Sequence, residues 1–415
     1  MLTCYYTSPQ VLERLRNSPA DTLIEGFAEE LQKAGYAQLT ARRHLRAAEH
    51  LLHWADRKQI APEALQAADI ARFKRHLPRC QCRAYDHSDH GRQVSSARLF
   101  LGHLQRIGVA STCPAEDNKP TPPLLEAFRQ WMKAQRNTSE ATLDNYGRAI
   151  RELLRTLGED PSGFNARRLR EFILEQSRHG GWAKTQTLVT AVRAFVRFLI
   201  AEGTCSVGLD AALLAPAHWQ LSTLPRYLQS EEVEKIVCAC DPDTPMGIRD
   251  RAIVLLLARL GLRAGDIVSL RLGDINWEEA WIRVSGKGRR EIRLPLSQEV
   301  GDAVAAYIRD VRPTVETDRL FLRSRAPLRE LGSHSAVSII VANAMRRAGV
   351  TPATRGAAHV LRHSAATTLL RQGASLQEIA TILRHRSIET TTIYAKVDVE
   401  LLAQVAQPWP EVQPC

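Results

Sequence analysis

An internal repeat constrains this chain more than any other feature. The segment beginning near Leu23 resembles the one beginning near Leu124, with Phe27 answering Phe128 and Thr40 answering Thr142. TARRHLRAAEHLLHWA (40–55) aligns with TLDNYGRAIRELLRTL (142–157), so Leu51 and Leu52 fall on Leu153 and Leu154. Further on, Phe100, Leu104 and Gly108 answer Phe195, Leu199 and Gly203. In both copies apolar residues recur at three- and four-residue steps, the period of amphipathic helices, and each reads as a small bundle of about four helices. Two copies are too few to stack as a solenoid.

A chain of 415 residues also exceeds what one core ordinarily serves, so several domains are expected. The reading divides it into a helical module over 1–112, a proline-rich polar linker over 113–121, a second helical module over 122–206, a linker over 207–225 and a final domain over 226–415. In that last part a helix starts at Ser230, and the apolar run 251–260 ends at Gly261, a residue suited to a left-handed cap. WIRVSG (281–286) and REIRLPL (290–296) alternate as two strands joined by a Gly-Lys-Gly turn that carries Lys287. Helices are expected again at about 297–310, 334–348 and 357–372, and Ser375 with Glu378 forms a capping-box pattern. The expected fold is mainly α with a small antiparallel sheet in an α+β final domain.

Lysine and arginine outnumber aspartate and glutamate by 56 to 45, a net charge of +11 that favours a polyanionic partner. The longest apolar run, 252–258, is too short to span a bilayer, and the first residues lack the pattern of an export signal. Eight scattered cysteines do not read as a secreted disulfide framework, which leads to the expectation of a cytoplasmic, nucleoid-associated protein. No acidic cluster of the kind metal-dependent nucleases use is visible, and GKGRR is too short for a Walker loop.

Phosphodiester transfer needs charge neutralised on the phosphoryl oxygens, an in-line nucleophile, and a proton for the departing oxygen. Arg263 follows a helix end in GLRAGD, Lys287 sits on the hairpin, AHVLRH sets His359 and Arg362 on one helix face, and His385 and Tyr394 follow in LRHRSIETTTIY. The order Arg, Lys, His-x-x-Arg, His, Tyr resembles the signature of the tyrosine recombinase or phage integrase family, Xer-type enzymes included. The spacings agree: 24 residues from Arg263 to Lys287, 23 from Arg362 to His385, and 9 from His385 to Tyr394.

That resemblance implies a site-specific recombinase that cuts and rejoins DNA through a 3′-phosphotyrosyl intermediate without a cofactor, mobilising a genetic element. Tyr394 would be the nucleophile, Arg263 and Arg362 would grip the non-bridging oxygens, and Lys287 would protonate the leaving 5′-oxygen. His359 would assist proton transfer at the tyrosine, and His385 would hydrogen-bond the phosphate. The sequence departs from the family at Asp266, a supporting acid commonly Glu, and at Arg384, commonly Gly. The module over 122–206 resembles the family's core-binding domain, and the preceding copy resembles a second one. Implied partners are double-stranded DNA at specific sites, further copies of the chain in a synaptic tetramer, and other recombinases of the same element. The chain is not expected to associate with membrane. Arg148, Lys184 and Arg193 are candidate DNA contacts by charge and position. A catalytically silent architectural subunit and a type IB topoisomerase-like enzyme are the alternatives. Apart from catalysis, Cys80, Cys82, His87 and His90, with His76 close by, form a candidate zinc set by ligand type.

Overall fold

The computed structural model describes residues 2–16, 21–82, 85, 89–111, 121–178, 180–214, 225–285, 291–351, 356–385 and 387–397. The chain divides into two compact units, one comprising Met1–Ser111 and Leu221–Cys415, the other Thr112–Gln220.

The amino-terminal helices are α1 (Pro9–Arg16), α2 (Asp21–Lys33), α3 (Gln38–Asp56), α4 (Ala67–His76) and α5 (His90–Arg106). They enclose a core of their own around Phe27, Leu45, Leu51, Phe73 and Phe100. The second unit contains α6 (Pro123–Arg136), α7 (Glu140–Leu157), α8 (Ala166–Arg178) and α9 (Trp182–Ala201), closed on Phe128, Ile150, Leu153 and Phe195. The repeated residues do the same work in each bundle. Phe27 meets Phe100 edge-on with centroids 5.1 Å apart, and their counterparts Phe128 and Phe195 meet edge-on at 5.3 Å. Gly108 and Gly203, each just past its bundle's last helix, have φ of 75° and 73°. This left-handed conformation suits a residue without a Cβ. Burying each of these rings contributes about 1.5–3 kcal/mol to its own core.

The remaining helices are α10 (Ser230–Cys238), α11 (Pro245–Arg259), α12 (Ala264–Ser269), α13 (Gln298–Ala306), α14 (His334–Arg347), α15 (Ala357–Arg371) and α16 (Leu376–Ile382). Between α12 and α13 lies a three-stranded antiparallel sheet ordered β1 (Ile275–Asn276), β2 (Trp281–Ser285) and β3 (Glu291–Pro295). The β2–β3 register runs from Trp281 opposite Pro295 to Ser285 opposite Glu291. β1, only two residues long, is too short to leave an alternation pattern. α11 buries the unbroken run 252–258 and anchors the largest core. α10 starts at Ser230 as expected, capped by Gln229, whose N–H donates to Glu232 Oε2 at 2.9 Å. Met1–Ser111 joins Leu221–Cys415 through the Leu328 N–H, which donates to the Ala34 carbonyl at 2.9 Å. Among the described residues no helix is long and apolar enough to cross a membrane.

Candidate active site

Four separate stretches converge on the buried phenol of Tyr394. The first is the turn that leaves α11. There Gly261 takes φ 58°, completing the left-handed cap expected from sequence, and Arg263 becomes the residue that caps α12. The Arg263 N–H donates to Asp266 Oδ2 at 2.7 Å, and its Nη2 reaches the carbonyls of Leu383 at 3.3 Å and Arg384 at 3.0 Å. The second stretch, α15, supplies Arg362, 2% exposed, which donates to the Gly261 and Leu383 carbonyls. Both arginines are therefore held by the same short turn after α16.

That turn is the third stretch. Arg384 occupies it with φ 55°, a conformation costing an L side chain about 1–2 kcal/mol and natural to glycine. The two departures from the family pattern meet here, because Arg384 Nη2 donates to Asp266 Oδ2 at 2.5 Å with both groups buried. His385 follows and shares a 2.7 Å hydrogen bond with the Thr391 hydroxyl. The fourth stretch is a 3₁₀ turn, Thr392–Val397, which carries Tyr394. Tyr394 is 2% exposed and packs with Ala366, Ile379 and Leu383, its ring parallel to His385 at 6.4 Å.

The imidazole on the tyrosine hydroxyl is His363, whose Nδ1 lies 2.9 Å from Tyr394 Oη. His359, assigned this neighbourhood from sequence, is one step removed: it packs edge-on against His363 at 4.3 Å and makes no hydrogen bond or ring contact with Tyr394 among the described residues. A signal for His363 was present in the sequence, since it follows His359 by four residues and shares its helix face.

Charge at the site is lopsided. Asp266 pairs with the Arg384 guanidinium and acts on the guanidinium groups of Arg263 and Arg362 only through space, and Arg263 Nη1, Arg384 Nε and Arg384 Nη1 are buried without a hydrogen-bond partner among the described residues. Burial, then the neighbouring guanidinium charges, lower the pKa of both Arg263 and Arg362. His363 is pushed down to about 4 by burial, then by His359 and Arg362, and His385 to about 4 by burial, then by Arg362 and Arg263. Burial raises Tyr394 to about 12 against the opposing pull of Arg362 and Arg263. Both imidazoles are thus neutral at pH 7 and the phenol is protonated. The pocket is short of negative charge, which suits an anionic substrate.

The phage integrase family model matches residues 226–400, and the phage integrase N-terminal SAM-like domain matches residues 125–203. An integrase/recombinase of Sinorhizobium fredii is 33% identical over 410 residues, covering 96% of this chain and 97% of its own length. The chain belongs to the phage integrase family of tyrosine recombinases. A tyrosine recombinase XerD of Xanthomonas axonopodis pv. citri is 32% identical over 66% of this chain and 92% of its own. Two solved structures share the tyrosine recombinase fold. XerH recombinase bound to its palindromic difH substrate is 19% identical, with TM-score 0.55 over 82% of this chain and 96% of its own. A lambda integrase dimer on a core site is 20% identical, with TM-score 0.52 over 70% of this chain and 98% of its own. Membership makes the chain a DNA strand-cutting and rejoining enzyme.

The other sequence candidates are scattered. Lys287 lies in 286–290, outside the described residues, although β2 and β3 flank it as expected. Arg148 and Lys184 are exposed in the second unit, whereas half-buried Arg193 donates to the Leu213 carbonyl. In the amino-terminal module the groups that converge are His50, His76, Cys80 and Cys82; His90 opens α5 outside this group, and His87 lies outside the described residues.

Proposed function

We propose that this recombinase cuts DNA by attack of Tyr394 Oη on a backbone phosphorus, breaking the P–O5′ bond and leaving a 3′-phosphotyrosine. The observation that carries the reading is the gathering of Arg263, Arg362 and His385 around Tyr394, with a neutral imidazole, His363, on its hydroxyl. A phenol held near pKa 12 is a poor nucleophile until its proton leaves as the P–O bond forms, and unprotonated His363 Nδ1 is placed to accept it. Arg263 and Arg362 neutralise the non-bridging oxygens as charge builds, the guanidinium fork fixing orientation as well as charge. His385 donates to the same phosphate, and Lys287 delivers the proton that the 5′-oxygen takes as it departs. The phosphotyrosyl ester retains the energy of the cut bond, so a second 5′-hydroxyl reseals the strand without a cofactor.

Tyr394 is enclosed, Arg263 Nη2 and Arg362 donate to backbone carbonyls, and Arg263 Nη1 has no hydrogen-bond partner among the described residues. A phosphoryl oxygen is a stronger acceptor for these guanidinium groups than a neutral carbonyl. The recombinase acts on double-stranded DNA at paired specific sites, in a synaptic tetramer, and serves to move a genetic element. Support comes from the net positive charge, from the near full-length match to integrase/recombinases, and from similar structures solved as complexes with core-site DNA.

The test is covalent trapping on suicide substrates bearing candidate sites, with wild type and Tyr394→Phe in parallel. Wild type should give a denaturation-resistant protein–DNA adduct and Tyr394→Phe none, with DNA affinity nearly unchanged. An adduct of normal yield with Tyr394→Phe would move the nucleophile elsewhere.

A further inference from the structure

We propose that His50, His76, Cys80 and Cys82 form a structural zinc site in the amino-terminal module, independent of the recombination chemistry. The four come from three places: His50 from the middle of α3, His76 from the last residue of α4, and both cysteines from the turn before α5. Their donor atoms all lie within 4.8 Å of one another, and His50 Nε2 is 3.3 Å from Cys80 Sγ. A tetrahedral zinc with bonds of about 2.3 Å to sulfur and about 2.0–2.1 Å to nitrogen sets its ligand atoms roughly 3.3–3.8 Å apart. The cluster therefore needs only side-chain adjustments to close on an ion.

Surrounding groups support the same reading. His50 Nδ1 lies 3.2 Å from Gln93 Oε1 on α5. An amide oxygen there fixes the tautomer with the proton on Nδ1 and leaves Nε2 bare toward the cysteine, the arrangement by which outer groups orient a metal-binding imidazole. The Cys82 N–H points at Cys80 Sγ at 3.4 Å, which orients the sulfur. Tyr85 stacks on His50 at 4.4 Å, and Phe73 meets the same imidazole edge-on at 5.1 Å, so aromatic rings wall the site.

A hydrogen-bonded Cys–His pair would account for His50 and Cys80 but not for His76 and Cys82 turning to the same point. Two sulfurs and two nitrogens complete a tetrahedron and leave no open position for substrate, so the ion is structural. It would tie the α4–α5 connection to α3. The sequence showed the two cysteines and His76 but not His50, which lies 30 residues before Cys80 on another helix.

The experiment uses the full-length, untagged protein produced with zinc supplied. Metal content by plasma mass spectrometry should be about one zinc per chain, and cobalt substitution should give the thiolate charge-transfer and tetrahedral d–d bands of a two-sulfur site. The variant Cys80→Ser with Cys82→Ser should lose the zinc and both bands. Gln93→Ala, which removes an outer group and leaves all four ligands, should weaken binding about 10–100-fold. A chelator should lower the Tm of wild type and leave the double cysteine variant unchanged. Wild type that binds neither metal, or a double cysteine variant that keeps its full zinc, would overturn the assignment.

Discussion

Asp266 and Arg384 show how two departures from a family pattern become one solution. A glycine before the second histidine would take φ 55° without strain; here an arginine takes it, and its guanidinium pairs with the shortened acid. Removing one member of a buried pair that leaves charge uncompensated costs about 3–5 kcal/mol. Asp266→Asn leaves the buried Arg384 guanidinium without its carboxylate beside Arg263 and Arg362, so it should destabilise by about 3 kcal/mol. Arg384→Gly relieves about 1 kcal/mol of backbone strain and leaves Asp266 beside Arg263, so its net cost should be much smaller. Urea unfolding of the two variants decides the matter, and equal losses would mean that Asp266 does not balance the cluster. The histidines give a second prediction. His363 and His385 titrate near 4 in the fold against 6.5 ordinarily, so the unfolded chain binds more protons between those values. Their contribution is complete above about pH 6.5 and is lost as pH falls toward about 4. His363→Gln should therefore flatten the fall in urea midpoint between pH 6.5 and 5, and an unaltered slope would show that His363 is not neutral in the fold. Arg263, Arg362, His385 and Tyr394 could be picked out as candidates because each belongs to a short motif, and the structure brings these four together. His363 shares a helix face with His359, but its 2.9 Å contact with a residue 31 positions away is not carried by spacing.

At the scale of elements, the site depends on a backbone turn more than on any one side chain. The Leu383 carbonyl receives both Arg263 and Arg362, and Gly261 packs directly against the Leu383 side chain. A Cβ on Gly261 would lie 2.6 Å from Leu383 Cδ2, at a backbone φ of 58° that already disfavours it. Gly261→Ala should therefore cost about 1–2 kcal/mol from φ alone and should also slow covalent-adduct formation by displacing the carbonyls that hold the arginines. Denaturant unfolding and single-turnover cleavage check the two halves separately, and cleavage at wild-type rate would show that the turn does not position the arginines. Sequence identified Gly261 as a helix cap and Ser375 as a capping-box residue, because both signals are local. It did not show that the turns after α11 and α16 meet, because that contact depends on how α11, α15 and α16 pack, and residue spacing carries no information about it.

At the scale of the molecule, the repeat was legible as sequence and reappears as matched geometry, down to the paired phenylalanines and left-handed glycines. What it did not convey is that Met1–Ser111 meets the 226–415 part at Ala34 and Leu328. Gly35, left-handed at φ 75° just after α2, lies in that contact: a Cβ there would fall 2.3 Å from Leu328 Cδ1 and 2.7 Å from Leu328 Cγ. Beside it the Leu328 N–H is held by Ala34 O, so its exchange with solvent reports whether the two parts are joined. Gly35→Ala introduces two costs, backbone strain of about 1–2 kcal/mol within the module and a clash with the Leu328 side chain. Only the second depends on the contact. Leu328→Ala removes the atoms that would clash, so in a double-mutant cycle Gly35→Ala should cost less on the Leu328→Ala background than on wild type. The Leu328 amide in Gly35→Ala should also exchange at least about tenfold faster than in wild type, which corresponds to about 1.4 kcal/mol of lost protection. Additive energies together with unchanged exchange would mean that the module does not rest on this loop in solution.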